Sequence, residues 1–211
     1  MKGILGLLRM SSRNNKPQQD HSDSVFFSTA FANQGVDPAM LVPWEARAVE
    51  VGAKRLPASK GGKLLQALWS KDKYMAHLDQ DAVRRMENFF EFAQVPPNRD
   101  LIRQDEYGNF MIVLLSGTIA VDRLQPWGEQ LRLAETRPGD ILGEMSLLDS
   151  GIRFSACTTL TDCEVAVLSA EGMDDMMGKD PQLAASLVAL LARKLSLRLR
   201  AVSARLSENQ K

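Results

Sequence analysis

After Pro97 the spacing of apolar residues changes from about 3.6 to about 2, and it stays there until Leu168. Short runs of strand-forming residues lie at Leu101–Arg103, Phe110–Leu115, Thr118–Leu124, Gln130–Glu135, Ser155–Leu160 and Glu164–Leu168. Turn-forming clusters separate them: Glu106-Tyr-Gly-Asn109, Ser116-Gly117, Gln125-Pro-Trp-Gly128, Arg137-Pro-Gly-Asp140 and Asp149-Ser-Gly151. Many short strands at even spacing leave no room for crossover helices, so a parallel βαβ sheet is excluded. An antiparallel sandwich or roll is expected.

Helical patterns flank this block. Lys63 to Phe92 carries apolar residues at helical spacing, with Leu64, Leu65, Leu68 and Trp69 on one stripe. Asp79 or Asp81 can cap a second helix whose inner face would hold Val83, Met86, Phe89, Phe90 and Ala93. Pro96 and Pro97 end that pattern, because a residue before proline avoids α geometry. Downstream, Asp180-Pro181 is a strong helix start. Ala184, Val188, Leu191, Leu195, Leu199, Val202 and Leu206 then recur at steps of 3 or 4. That stripe is longer than one domain needs, which points to pairing with a second copy; a lid on its own domain is the alternative. The fold class expected is α+β: a jelly-roll-like β-roll with N-terminal helices and a long C-terminal helix.

Residues 11–20 are polar and read as disordered. A short helix is expected from Trp44 to Val51, since Pro43 suits a helix start. Ala58-Ser-Lys-Gly-Gly-Lys63 reads as a linker. It is not a phosphate loop, because Pro57 and Leu64 stand where that motif needs Gly and Ser or Thr. The division expected is therefore a partly disordered extension over 1–62 and a second unit over 63–211, with helices 63–93, the roll 98–169 and C-terminal helices 170–207.

Composition then excludes several functions. Lys plus Arg and Asp plus Glu both number 26 in the 211 residues, so no net field favours nucleic acid. The two Cys make no disulfide framework, which favours a reducing, cytoplasmic setting. Cys157 and Cys163 read as small core residues of one strand parity. The two His, His21 and His77, are far apart and outside the roll, so neither a metal site nor a cupin-like metal roll is expected. The apolar start before Arg9 is too short for a signal peptide, and no run is long enough to span a membrane. No Ser/His/Asp set and no convincing carboxylate pair is present, so no catalytic residues are expected. Trp127 reads as an exposed turn residue, and Asp174-Asp175 as a solvated helix face.

The segment Pro138-Gly-Asp-Ile-Leu-Gly-Glu-Met-Ser-Leu-Leu-Asp-Ser-Gly-Ile-Arg-Phe-Ser-Ala156 carries the chemistry. Gly143 permits close approach of backbone to a ligand, a short helical turn at Met145–Leu148 offers free N–H groups, and Arg153 adds a guanidinium. Amides plus a guanidinium suit a single phosphate. Glu144 would repel that phosphate unless it accepts a hydrogen bond from a neighbouring hydroxyl, such as a ribose 2′-OH. The set fits a phosphorylated sugar.

With Asp100–Gly117 as a first hairpin, Pro138-Gly-Asp140, Gly143-Glu144, Arg153 nine positions on, and Cys163-Glu-Val-Ala166 as a last strand, the chain resembles the cyclic-nucleotide-binding domain family. That family includes the bacterial catabolite activators and the regulatory subunits of cyclic-AMP-dependent protein kinase. The resemblance runs from about Leu78 to Leu206. It implies that Glu144 binds the ribose 2′-OH and Arg153 the exocyclic phosphate oxygens. Backbone N–H groups at Gly143, Met145 and Ser155 would assist, with Leu195, Arg198 and Leu199 of the final helix near the base. Phe154 departs from the family, which has a small residue there; it either crowds the base or turns outward. Asp105 and Asn109 also differ, at hairpin positions.

The expected function is a stand-alone cyclic AMP or cyclic GMP sensor domain, without an enzyme activity or a resident cofactor. It would act on an unknown protein partner through the extension, or through a homodimer formed by the final helix. Two alternatives stand beside it. One is a degenerate scaffold roll in which Arg153 merely pairs with Glu144 or Asp149. The other is a roll that binds cyclic di-GMP. The basic end of the final helix (Arg193, Lys194, Arg198, Arg200, Arg205) complements its macrodipole. The sequence stops at Lys211, so a DNA-reading helix-turn-helix, and with it direct sequence-specific DNA binding, is not expected.

Overall fold

In the computed structural model, residues 25–208 are described except 74, 76 and 77. His21, His77, the polar 11–20 segment and the apolar start therefore lie outside the described residues. The chain opens with α1 (Phe26–Asn33), a turn of 3-10 helix, α2 (Trp44–Glu50), β1 (Lys54–Arg55) and α3 (Ala58–Trp69). It continues with α4 (Gln80–Met86), β2 (Glu91–Val95), β3 (Asp100–Ile102), β4 (Phe110–Ser116), β5 (Ile119–Leu124), β6 (Gln130–Glu135) and β7 (Ile141–Leu142). Then come α5 (Glu144–Asp149), β8 (Ala156–Thr159), β9 (Cys163–Ser169), α6 (Ala170–Lys179) and α7 (Pro181–Glu208).

The strands form two antiparallel sheets with orders β1-β2-β9-β4-β7 and β3-β8-β5-β6. This is the β-roll expected from the period-2 block. Between the sheets lie Leu101, Ile112, Leu114, Ile119, Val165 and Cys157, all buried. A second core fills the outer face of the larger sheet, where Leu65, Trp69, Met86, Met111, Val113, Leu168, Met173 and Leu187 meet. Strand β4 presents apolar residues to both cores, which explains its unbroken run Phe110–Leu115.

Two sequence expectations change here. Residues 91–95 are not the tail of a helix but strand β2, paired with β9 from Glu91↔Val167 to Val95↔Cys163. Partners on the sheet override the helical period read through Ala93. Ala58–Lys63 is the first half of α3 rather than a linker. Gly61 and Gly62 carry no side chain there because a Cβ would strike the Phe92 ring and the Glu87 carboxylate. Cys157 and Cys163 are core residues as expected, both buried and free, on β8 and β9.

Asp174 is the third change. It is buried rather than solvated, and its carboxylate caps α1. The N–H groups of Phe27 and Ser28 donate to it, each at 2.8 Å, and the Ser28 hydroxyl donates at 2.7 Å. A carboxylate at a helix N-terminus satisfies donors that the helix itself leaves free. This single side chain docks α1 on α6.

Helix α7 is capped as expected, with the Leu183 N–H donating to Asp180 Oδ1 at 3.2 Å. Its first turns bury Leu183, Ala184, Leu187, Leu190 and Leu191. Beyond them the stripe emerges: Leu199 is 68 %, Val202 52 % and Leu206 60 % exposed.

Replacing Asp174 by Ala should lower the unfolding free energy by about 2 kcal/mol, because three donors lose a charged acceptor. Asp175→Ala, at an exposed pair with Lys179, should change it by under about 0.5 kcal/mol. Urea melts of the two variants check the contrast.

Candidate functional site

Gly143 ends β7 in the left-handed region at φ +74° and launches α5 with Glu144 as its first residue. The chain then turns through Ser150, also left-handed at φ +55°, and brings Arg153 back beside Gly143. Backbone pairing fixes this return. Arg153 N–H donates to the Glu106 carbonyl at 2.8 Å, and Asp105 N–H donates to the Arg153 carbonyl at 2.9 Å.

The Arg153 side chain is buried, 3 % exposed. Its guanidinium donates to the carbonyls of Gly143 at 2.8 Å and Phe110 at 2.7 Å. It also stacks on the Phe110 ring, 4.6 Å from the centroid. Trp44 packs edge-on against Phe110, with ring centroids 5.6 Å apart. The cradle requires glycine at two places. A Cβ at Gly108 would lie 2.7 Å from Arg153 Nη2, and one at Gly143 would lie 2.6 Å from Nη1.

No carboxylate reaches this guanidinium within ion-pair distance among the described residues. Its partners are neither Glu144 nor Asp149 but the two carbonyls. Burial pulls the Arg153 pKa down to about 10, with nearby Arg47 adding to the fall and Glu106 and Glu144 opposing it. The group remains a cation at neutral pH. A buried cation held by two carbonyls and an aromatic face, without a carboxylate, is unusual, since buried charges are ordinarily paired.

Glu144 is buried too, at 3 % exposure. Its Oε1 is ion-paired with Arg198 Nη1, and Arg198 Nη2 donates to the Ile141 carbonyl at 3.0 Å. Arg198 thus ties α7 to the start of the cassette. Leu195, one turn earlier, is half-buried, and Leu199 faces solvent. Met145 is 43 % exposed and Ser155 half-buried. Phe154 turns outward at 51 % exposure. Its ring lies under the Arg123 guanidinium at 4.0 Å, and its carbonyl accepts from Arg123 Nη1.

Sequence reasoning missed several contributors. Gly108 was readable only as a turn residue, yet it makes space for Arg153. Phe110 was readable as a strand residue, yet its ring and carbonyl hold the guanidinium. The segment 34–47 also reaches the site. Gln34 Nε2 donates to the Asp149 carbonyl at 2.9 Å, and Val42 N–H to the Tyr107 carbonyl at 2.9 Å. Arg47, 1 % exposed, is ion-paired with Glu50 at 2.7 Å and with Glu106. Apart from the Arg47–Glu50 pair, these contacts join residues more than 50 apart, and no local motif marks them.

Residues 92–180 match the Cyclic nucleotide-binding domain family. That match covers less than half of the 211 residues. The curated relatives include the Cyclic AMP receptor protein of Thermus thermophilus, 32 % identical over 108 residues, which covers 51 % of this chain and 50 % of that protein. A CRP-like cAMP-activated global transcriptional regulator of Mycobacterium tuberculosis is 24 % identical over 118 residues, covering 56 % of this chain and 53 % of that one. The chain thus spans about half the length of these curated relatives, one named as a receptor protein and the other as a transcriptional regulator.

Among solved structures, a cyclic nucleotide-binding domain from Methylobacillus flagellatus superposes with a TM-score of 0.67 at 23 % identity, covering 72 % of this chain and 86 % of that one. The Thermus thermophilus Catabolite Activator Protein superposes at 0.54 with 29 % identity, covering 63 % of each chain. The regulatory domain of Toxoplasma gondii PKA shares the fold at 0.54 and 17 % identity, covering 65 % of this chain and 51 % of that one. Among the described residues no helix is long and apolar enough to cross a membrane.

Gly143→Ala should destabilise the fold by about 1–3 kcal/mol, since alanine meets both a left-handed backbone and the Arg153 guanidinium. Gly128→Ala, also at positive φ but facing open space, should cost less. Paired thermal melts separate crowding from backbone strain.

Proposed function

We propose that the chain is a sensor for a cyclic mononucleotide, cyclic AMP or cyclic GMP, and that it regulates a partner through movement of its final helix. The buried Arg153 guanidinium, held by carbonyls and facing no carboxylate, carries this reading. Such a cation gains most from an incoming phosphate, which exchanges dipole contacts for a full opposite charge. Glu144, joined to it through Gly143, offers the carboxylate that a ribose hydroxyl would donate to. The relatives named for cyclic AMP support the same ligand class.

The chain's own residues supply a route for the signal. Arg198 holds Glu144 Oε1, so a change at that carboxylate reaches α7 directly. Arg153 shares backbone pairing with Glu106 and Asp105, and the next residue, Tyr107, pairs with Leu41. A shift of Arg153 toward a phosphate is therefore felt by the 34–50 segment as well. A ligand moves such an equilibrium only by binding one state more tightly. No covalent chemistry and no resident cofactor enter this reading.

One observation favours a second reading, a scaffold roll that binds no cyclic mononucleotide. Both groups that would meet a nucleotide already have protein partners, Arg153 in carbonyls and Glu144 in Arg198. Phe154 also offers no hydroxyl to a phosphate. Calorimetry against cyclic AMP and cyclic GMP decides between them. Under the sensor reading one nucleotide binds, and Arg153→Ala weakens it by about 2–4 kcal/mol, roughly 30-fold or more. Unchanged affinity in that variant removes Arg153 from the site, and no heat with any cyclic mononucleotide favours the scaffold.

Two further outcomes follow from the helix. In the wild type, ligand should alter amide exchange in the last turns of α7; in Arg198→Met that response should vanish while binding persists. The exposed stripe Leu199, Val202 and Leu206 supports pairing with a second copy. Sedimentation should then show a dimer that Leu199→Glu with Val202→Glu converts to monomer; a monomeric wild type refutes the pairing.

A further inference from the structure

Two carboxylates act on the Arg153 charge from close by, Glu106 and Glu144. Neither is bonded to it, and each is engaged by another arginine. Glu144 is held by Arg198. Glu106 Oε2 is held by Arg47 Nη2, and its Oε1 lies 3.6 Å from Arg103 Nη1. The backbone keeps Glu106 beside Arg153 in any case. Its carbonyl accepts the Arg153 N–H at 2.8 Å, and the next residue, Tyr107, is bridged to Ile152. The carboxylate of Glu106 is thus kept from Arg153 by its ion pairs and not by distance along the chain.

Arg47 is the unexpected member of this group. It belongs to α2, outside the matched residues 92–180, and is 1 % exposed. Its Nε is buried without an acceptor. A surface arginine would hold Glu106 at lower cost in desolvation, and Arg103 already approaches it with a side chain 46 % exposed. Arg47 also acts against its neighbour: besides burial, its charge pulls the Arg153 pKa down. One buried cation near another is unfavourable on its own account. Its two partners, Glu50 and Glu106, show what the arrangement achieves.

We propose that Arg47 is a positioning residue for the nucleotide site: it holds the Glu106 carboxylate away from Arg153 and so leaves that guanidinium open to a phosphate. The proposal rests on the sensor reading. A released Glu106 would offer Arg153 a full charge in place of carbonyl dipoles, and a phosphate would then have to displace it. The 34–50 segment contributes to the site by removing a competitor, without touching the ligand. The absence of a carboxylate at Arg153 follows from two arginines, Arg198 and Arg47, each occupying the one that stands near.

Arg47→Met keeps a long side chain and removes the charge, while Arg103 still faces Glu50 and Glu106. In calorimetry with cyclic AMP and cyclic GMP, this variant should bind the wild type's nucleotide about tenfold more weakly. Adding Glu106→Gln should restore affinity to within about threefold of wild type. A residue that merely packs α2 against the roll is not rescued by neutralising a second charge. A readout without nucleotide accompanies this. The guanidinium N–H signals of Arg153 in NMR, assigned by their loss in Arg153→Lys, should move in Arg47→Met and return in the double variant. Unchanged affinity in Arg47→Met, a double variant no better than the single one, or Arg153 signals that stay in place each overturn the proposal. A wild type that binds neither nucleotide overturns the sensor reading, and the Arg153 signals then still decide whether Arg47 holds Glu106 off.

Discussion

The site is organised around one buried cation. Arg153 sits where a neutral residue would cost less, because its guanidinium leaves water and receives two carbonyls and an aromatic face but no carboxylate in return. The surrounding sequence is explained by that choice. Gly108 and Gly143 lack side chains because a Cβ at either would collide with the guanidinium. Phe110 lies flat beneath it, and Trp44 buttresses Phe110. The 150s loop must return to Gly143, and the backbone pairs at Glu106 and Asp105 hold it there. A protein that needed only a stable roll would gain by replacing this cation with an aliphatic side chain.

The second consequence concerns what the cassette touches. Its two ends, Glu144 and Arg153, are each tied to an element outside the sheets. Glu144 is tied to α7 by Arg198, and Arg153 to the 34–50 segment through Glu106, Tyr107 and Arg47. Past Leu191 the helix buries little, so the Arg198 ion pair is among the contacts that position its exposed half. Helix α1 is docked separately by Asp174. Ties of this sort are few and local, so they can exchange partners without disturbing the roll.

The roll was legible because its strands obey period 2 between strong turn residues. Gln130–Glu135 is the same in sequence and structure, and the other expected strands differ by at most one residue at each end. Glu144 and Arg153 were legible because spacing within a single segment carries them. What escaped is non-local. β2 and β1 exist only because β9 and β2 offer edges to them, and Asp174 reads as a surface acid until α1 arrives from 146 residues away. Gly61 and Gly62 suggest a linker unless it is known that Phe92 and Glu87 press against them. Gly108 and Phe110 show the same limit, since nothing nearby in sequence says that a guanidinium will be inserted between them.

Equal numbers of acidic and basic residues conceal an uneven layout. Three consecutive residues mark the divide. Gly108 and Phe110 border a cation that has no carboxylate, whereas Asn109, between them, turns its amide to Glu171 and a hollow of carboxylates that contains no cation. The two imbalances lie back to back across the start of β4. Neutrality in sum therefore says nothing about the charge around any one group.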